Sequence, residues 1–290
     1  MGLVLDFNRA RYPSCPAGWE GPQVTRYGPV SQVAVISDVH ANVPALTAVL
    51  AEVAAAGADL VVSCGDLTWG SQPDETISLM RGLGSRALFV RGNSERAVLE
   101  VSGASRPAAR AAPARTVPAR AVRSPRETWV PSLHSADSLA FVAAVPFSIV
   151  VEVTGLGPVR FCHGSPRSDT ELVTPATSAE RFAQLSAGID ELVLVTGHTH
   201  LQFDRRVAGR RSVNPGSVGL PYHEGEPGTA YWALLGPDIE LRQTRYDVTA
   251  AIAAGTRLGD PAADAIAGLL MSPPKPAEIM AETERLVFSD

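Results

Sequence analysis

Five short apolar runs in this sequence end in residues that bind metal ions. "SQVAVISDVH" closes on Asp38-Val39-His40 and "DLVVSCGD" on Gly65-Asp66. "RALFVRGN" closes on Gly92-Asn93, "PVRFCHG" on His163-Gly164, and "ELVLVTGHTH" on Gly197-His198-Thr199-His200. The seven donors are the carboxylates of Asp38 and Asp66, the carboxamide of Asn93, and four imidazoles. This mixture of oxygen and nitrogen suits manganese, iron, zinc, nickel or cobalt rather than calcium. Singly the motifs say little. D-x-H, G-D and G-N are ordinary loop pairs, and G-H-x-H also fits a hydrogen-bonded structural histidine. Together, each at the end of an apolar run, they point to one metal site. Four of the six histidines are used in this way. His134 reads as a helix-surface residue, and His223, after a Gly/Pro loop, as a residue at the rim of the site.

The elements that must hold these donors follow from the pattern between them. The apolar runs are short and β-branched, as buried strands are. Helical stretches separate them: "PALTAVLAEVAAAG", with Pro44 in its first turn, "PDETISLMRGLG", "LHSADSLAFVAAV" and "SAERFAQLSAG". This alternation predicts an α/β fold with a largely parallel sheet. In an open α/β sheet the carboxyl ends of the strands share one edge, where ligands bind. The seven donors therefore converge. "FSIVVEV" adds a strand, and short β segments from Phe203 to Arg245 read as antiparallel pairs. Residues 1–30 read as an irregular arm, 31–246 as the main domain, and 247–290 as a helical tail broken by "SPPKP". Within the domain, residues 101–126 carry six arginines, four prolines and no acid. Such a segment cannot build a core and reads as a flexible insertion; a basic flap meeting an anionic ligand is the alternative.

Composition narrows the class. With 290 residues, 45% of them hydrophobic, one large domain with appendages is expected. No apolar run reaches the ~18 residues of a membrane span. The opening residues lack the basic and apolar regions of a secretory signal. Three scattered cysteines make no disulfide framework, which points to a reducing, cytoplasmic setting. Cys64 and Cys162 precede motif residues and read as small buried side chains. A net charge of −5 predicts no general attraction to nucleic acid.

The series D-x-H, G-D, G-N, H-G, G-H-x-H resembles that of the calcineurin-like metallophosphoesterase superfamily. "SDVHAN", "HGSPR", "TGHTH" and "VNPGSVGLP" are similar to its small bacterial and archaeal predicted-phosphodiesterase branch, over roughly residues 32–247. The resemblance implies a four-layer αββα sandwich and two divalent transition-metal ions, with manganese favoured. It implies that Asp38, His40, Asp66 and His200 hold one ion, and that Asp66, Asn93, His163 and His198 hold the other, with Asp66 bridging. Asp66, Asn93 and His198 would then also be catalytic. The implied activity is hydrolysis of a small phosphodiester by in-line attack of a metal-bridging hydroxide. A phosphomonoesterase acting on nucleotides or small phosphates is the alternative within the class. A non-catalytic scaffold, like the metallophosphoesterase-like subunit of retromer, is the alternative outside it.

One departure from that pattern bears on the chemistry. Many members of the superfamily read G-N-H-[DE] at the third motif, where the histidine is thought to protonate the leaving group. This chain reads "GNSE", and Ser94 cannot act as a general acid near neutral pH. Glu95 reads as an acid at a helix N-terminus, with orientation of a metal ligand as the alternative. Arg167 in "HGSPRSDTE" suits a phosphate contact or a structural ion pair. With Asn93 and His223 it completes the candidate substrate contacts. "NPGSVGLP" reads as a tight loop near the metals.

Overall fold

The computed structural model describes residues 24–104 and 124–286. Its strands are β1 (Thr25–Val30), β2 (Val33–Ile36), β3 (Leu60–Ser63), β4 (Ala87–Phe89), β5 (Ser148–Val153) and β6 (Gly157–Cys162). They continue with β7 (Val193–Val195), β8 (Phe203–Val207), β9 (Arg210–Asn214), β10 (Thr229–Leu235) and β11 (Ile239–Arg245). Two sheets result. One has the order β11-β10-β2-β3-β4, the other β1-β5-β6-β7-β9-β8. In the first, β2, β3 and β4 are parallel. In the second, β6, β7 and β9 are parallel.

The side chains show why two sheets form. Successive strand residues point to opposite faces, and here both faces are apolar. Val33, Val35 and Val62 pack with Val151, Phe161 and Val195 between the sheets. Ala34, Ile36 and Val61 point the other way, into a cluster with Leu46, Val49, Ile77 and Met80. Leu194 and Phe203 point outward from the second sheet, onto Phe182 and Leu185. The helices that supply these partners are α1 (Val43–Ala55) and α2 (Pro73–Arg81) on one side and α6 (Ala179–Leu185) on the other. The architecture is the four-layer αββα sandwich that the resemblance implied. Local chemistry sets the helix starts. Asn42 accepts from the N–H of Ala45 at 3.2 Å, with Pro44 in the first turn of α1.

The remaining helices are α3 (Asn93–Ser102), α4 (Pro125–Ser132), α5 (Ala136–Ala144), α7 (Val248–Leu258), α8 (Ala263–Met271) and α9 (Pro276–Thr283). They revise the expected boundaries. Residues 25–30, read as part of an irregular arm, form β1 and pair in parallel with β5. The insertion expected over 101–126 is ordered at both ends, where Ser102 completes α3 and Ser124 caps α4. Its central residues, 105–123, lie outside the described residues, as do 1–23. His134 is buried rather than on a helix surface, with Nδ1 3.0 Å from the Val130 carbonyl.

The tail is part of the packed structure. α7 packs on α1, and α8 on α7. α9 buries Ile279 among Phe182, Leu185 and Tyr222 on the opposite side. Glu284 then accepts from Thr174 Oγ1 at 2.6 Å and Thr177 Oγ1 at 3.0 Å. No described helix is long and apolar enough to cross a membrane. Ile279 makes the docking testable. Ile279→Ala removes buried methyl groups and should cost about 2–4 kcal/mol in urea unfolding. An unchanged unfolding midpoint would show that α9 is not part of the core.

Candidate metal centre

All seven sequence-predicted donors lie at the carboxyl ends of strands, six in loops and Asn93 at the first residue of α3. Asp38 and His40 follow β2, Asp66 follows β3, and Asn93 follows β4. His163 follows β6, and His198 and His200 follow β7. The donors come from both sheets, so the site sits where the two carboxyl edges meet. They form two groups: Asp38, His40 and His200, and Asp66, His163 and His198, with the ligating atoms of each group within 4.8 Å of one another. Asn93 joins the second group, its Oδ1 3.0 Å from His163 Nε2. Asp66 faces both groups. Its Oδ1 lies 3.3 Å from His163 Nε2 and its Oδ2 4.0 Å from His40 Nε2.

The protons on these histidines follow from their neighbours. His163 Nδ1 faces the Cys64 carbonyl at 2.7 Å, and His200 Nδ1 faces the Leu220 carbonyl at 2.7 Å. A carbonyl only accepts, so both Nδ1 atoms carry protons, and in the neutral ring each Nε2 presents a lone pair. His163 Nε2 then meets His198 Nδ1 at 3.1 Å, and His200 Nε2 meets His40 Nε2 at 3.1 Å. Asp38 Oδ1, fully buried and 3.2 Å from His200 Nε2, has no hydrogen-bond donor among the described residues. Ligand atoms gathered this closely in a buried place suit a shared cation. The donor set fits divalent transition-metal ions.

The backbone holds this arrangement under strain. Asp38, His40, Asp66, His198 and His200 all have positive φ, between 49° and 67°. Each such non-glycine residue costs roughly 1–3 kcal/mol and persists only where its surroundings fix it. Here the loops fix one another. Asp38 N donates to Gly65 O and His40 N to Asp66 O, each at 3.0 Å. His198 N donates to Asp38 Oδ2 at 3.0 Å, and Ser37 Oγ to the same oxygen at 2.6 Å. Two glycines are required by close approach. A Cβ on Gly92 would lie 2.1 Å from Asp66 Oδ1, and one on Gly197 would lie 2.0 Å from Ser37 Oγ.

Supporting residues surround the donors. "NPGSVGLP" is the tight loop that was expected, and it braces two ligand loops. Ser217 Oγ donates to the Asp38 carbonyl at 2.7 Å, and Gly219 N donates to it at 3.0 Å. Asn214 Nδ2 donates to the Gly197 carbonyl at 2.8 Å. Glu95 fills both of its expected roles. It accepts from Gly92 N at 2.8 Å at the start of α3. It also accepts from Asp66 N, Leu67 N and Thr68 N at 2.8–3.2 Å, which fixes the loop that carries Asp66. Burial and the Asp66 charge push Glu95 upward, and the Gly92 and Thr68 N–H groups oppose that rise.

The candidate substrate contacts fare differently. Arg167 Nε lies 3.0 Å from both oxygens of Glu171, and Nη2 2.6 Å from one of them. This is the structural ion pair. His223 is buried against Tyr231, with ring centroids 5.2 Å apart, and Nδ1 accepts from Gly225 N at 3.0 Å. It belongs to neither donor group. Ser94 is buried, and its N–H donates to Asp66 Oδ1 at 3.0 Å. Cys64 and Cys162 are buried as expected, and Cys64 adds the carbonyl that orients His163.

Comparison with known proteins agrees with this fold. The family model of the calcineurin-like phosphoesterase superfamily domain matches residues 32–235. The chain belongs to this superfamily. An uncharacterized protein of Methanocaldococcus jannaschii is 27% identical over 238 residues, 75% of this chain and 89% of that protein. A metallophosphoesterase from Sphaerobacter thermophilus has a similar crystal structure, with TM-score 0.62 and 24% identity over 83% of this chain and 98% of that one. A hypothetical protein from Pyrococcus horikoshii OT3 gives TM-score 0.66 and 17% identity, covering 85% and 100%. Family and donor groups together make the chain a metal-dependent phosphoesterase.

The charges at the centre govern metal uptake in this phosphoesterase. Burial, reinforced by the charge on His200, lowers His40 to about 4. Burial and the charge on His163 lower His198 to about 4. Burial is the largest influence on His163 and His200 and disfavours their cations, but the charges of Asp66 and Asp38 and the carbonyls facing Nδ1 together outweigh it, and both are raised. Without metal, His163 and His200 therefore keep a proton to a higher pH than an ordinary histidine. A metal ion must displace that proton. Metal binding should release protons, and affinity should fall as pH is lowered through the histidine range. Manganese titrations at several pH values check this; affinity independent of pH would contradict it.

Glu95 gives a second test. Glu95→Gln places an amide among N–H donors and should weaken manganese binding by about 10–100-fold. Unchanged affinity would leave Glu95 with a helix-capping role alone.

Proposed function

We propose that the chain is a phosphodiesterase working with two divalent ions, manganese the favoured pair. The observation that carries this reading is Asp66, whose two oxygens face different donor groups. A carboxylate can bridge two cations, which an imidazole does less well. Asp38, His40 and His200 would complete one ion's ligands, and Asn93, His163 and His198 the other's. When bound, the ions acidify water and neutralise phosphoryl charge.

The chain's own residues account for the rest. The loops hold the donors at a fixed spacing, so little reorganisation accompanies the reaction. With Asn93 Oδ1 given to the second group, the Nδ2 amide remains as a donor to a phosphoryl oxygen. Arg167 is paired with Glu171, which reduces the positive charge it offers a substrate. That favours a monoanionic diester over a dianionic monoester. The complete donor set argues against a non-catalytic scaffold. Ser94 offers no proton to the departing oxygen, a loss of about 10²–10⁴-fold for poor leaving groups.

The test is hydrolysis by the manganese-loaded protein. Bis-p-nitrophenyl phosphate should be turned over faster than p-nitrophenyl phosphate. Across aryl and alkyl diesters, log kcat/KM should fall steeply as the leaving-group pKa rises. Faster monoester turnover would replace the diester reading with the monoesterase one. A flat series would mean that another group supplies the proton, with His223 the first residue to substitute.

A further inference from the structure

A cleft opens beside the donors and is walled by the tail. His40, Gly70 and Leu220 line one side, and Ile252, Ile266 and Ala267 of α7 and α8 line the other. It is narrow and open to solvent at its mouth. A cleft this narrow has room for a slim substituent and not for a polymer. His40 belongs to both the cleft and the first donor group. A phosphoryl group held by the donors would thus have a substituent within reach of the cleft. The outer wall lies beyond residue 235, where the superfamily match ends.

The lining limits what that substituent can be. Among the described residues that line the cleft, His40 is the sole aromatic side chain, so a nucleobase finds no stacking platform. Arg126 is the one cation among the described lining residues, and Asp260 engages it through Nε at 3.0 Å and Nη2 at 3.1 Å. Ser71 Oγ also donates to Asp260, at 3.0 Å. This network pins the turn between α7 and α8 to the loop after Asp66 and to α4. It also leaves no unpaired charge for a second anionic group. Ile252, Ile266 and Ala267 are half-buried, so apolar surface remains to be covered.

We propose that this cleft binds one ester substituent of the substrate, and that the substituent is a small uncharged aliphatic group. The proposal deepens the phosphodiesterase reading and rests on it. The tail, in this view, sets substrate choice.

Two measurements on the manganese-loaded full chain separate the two ideas. The first is calorimetric binding of the monomethyl esters of methylphosphonate and hexylphosphonate, which are monoanions with a stable C–P bond. The hexyl compound should bind tighter by about tenfold or more, as partial burial of five methylenes implies. Ile266→Asp, which places a charge in the cleft, and Ala267→Trp, which fills it, should each remove that preference. Thermal unfolding checks that both variants fold. Equal affinity for the two compounds, or a preference that survives both substitutions, would overturn the proposal. The second measurement is p-nitrophenolate release from methyl and hexyl p-nitrophenyl phosphate, where kcat/KM should rise with chain length through KM. No release from either ester, with the binding preference intact, would defeat the phosphodiesterase reading and leave the aliphatic subsite standing.

Discussion

Lone pairs repel one another, yet this chain gathers seven metal-type donors at the junction of its two sheets, five of them buried and His40 and Asn93 half-buried. Lone pairs of His163, His198, Asn93 and Asp66 meet at one point, and those of His40, His200 and Asp38 at another. A positive charge must lie between them, either protons or metal ions. The rest of the fold can be understood as the apparatus that holds this unfavourable arrangement together. The two sheets bring two sets of strand ends to one edge. Their apolar inner faces supply the packing that offsets the cost.

The cost appears in the backbone as well. Five donors sit at positive φ, and each of those loops is tied to another donor loop rather than to solvent. Asp38 is gripped through its carbonyl by the 214–221 loop and through its carboxylate by Ser37 and His198. Asp66 is gripped through its N–H by Glu95. A change in one loop therefore reaches both groups. The tail closes the same edge from outside, with α7 against α1, α8 against α7 and α9 against α6.

Much of this was legible in the sequence because donors at strand ends follow a local pattern. An apolar run ending in Gly-Asp or Gly-His needs no knowledge of distant residues. What was not legible depends on distance. β1 was taken for irregular arm because its Pro and Gly hide a strand whose partner, β5, lies more than 100 residues away. His134 looked exposed by helix position and is buried by tertiary packing. Arg167 looked free for phosphate, and its partner Glu171 stands only four residues on, within sight of a charge-spacing rule. Glu95 is the instructive case. Its helix-start role was local and readable, whereas its grip on the Asp66 loop required the parallel pairing of β3 with β4.

The claim on which the account depends is that Asp66 joins two metal ions in one centre. Elemental analysis of manganese-loaded protein after gel filtration tests it directly, alongside the Asp66→Ala variant checked for folding by circular dichroism. The account predicts two manganese ions per chain in the unaltered protein and at most one in the variant. Two ions retained by Asp66→Ala, or no ion held by the unaltered chain, would contradict it.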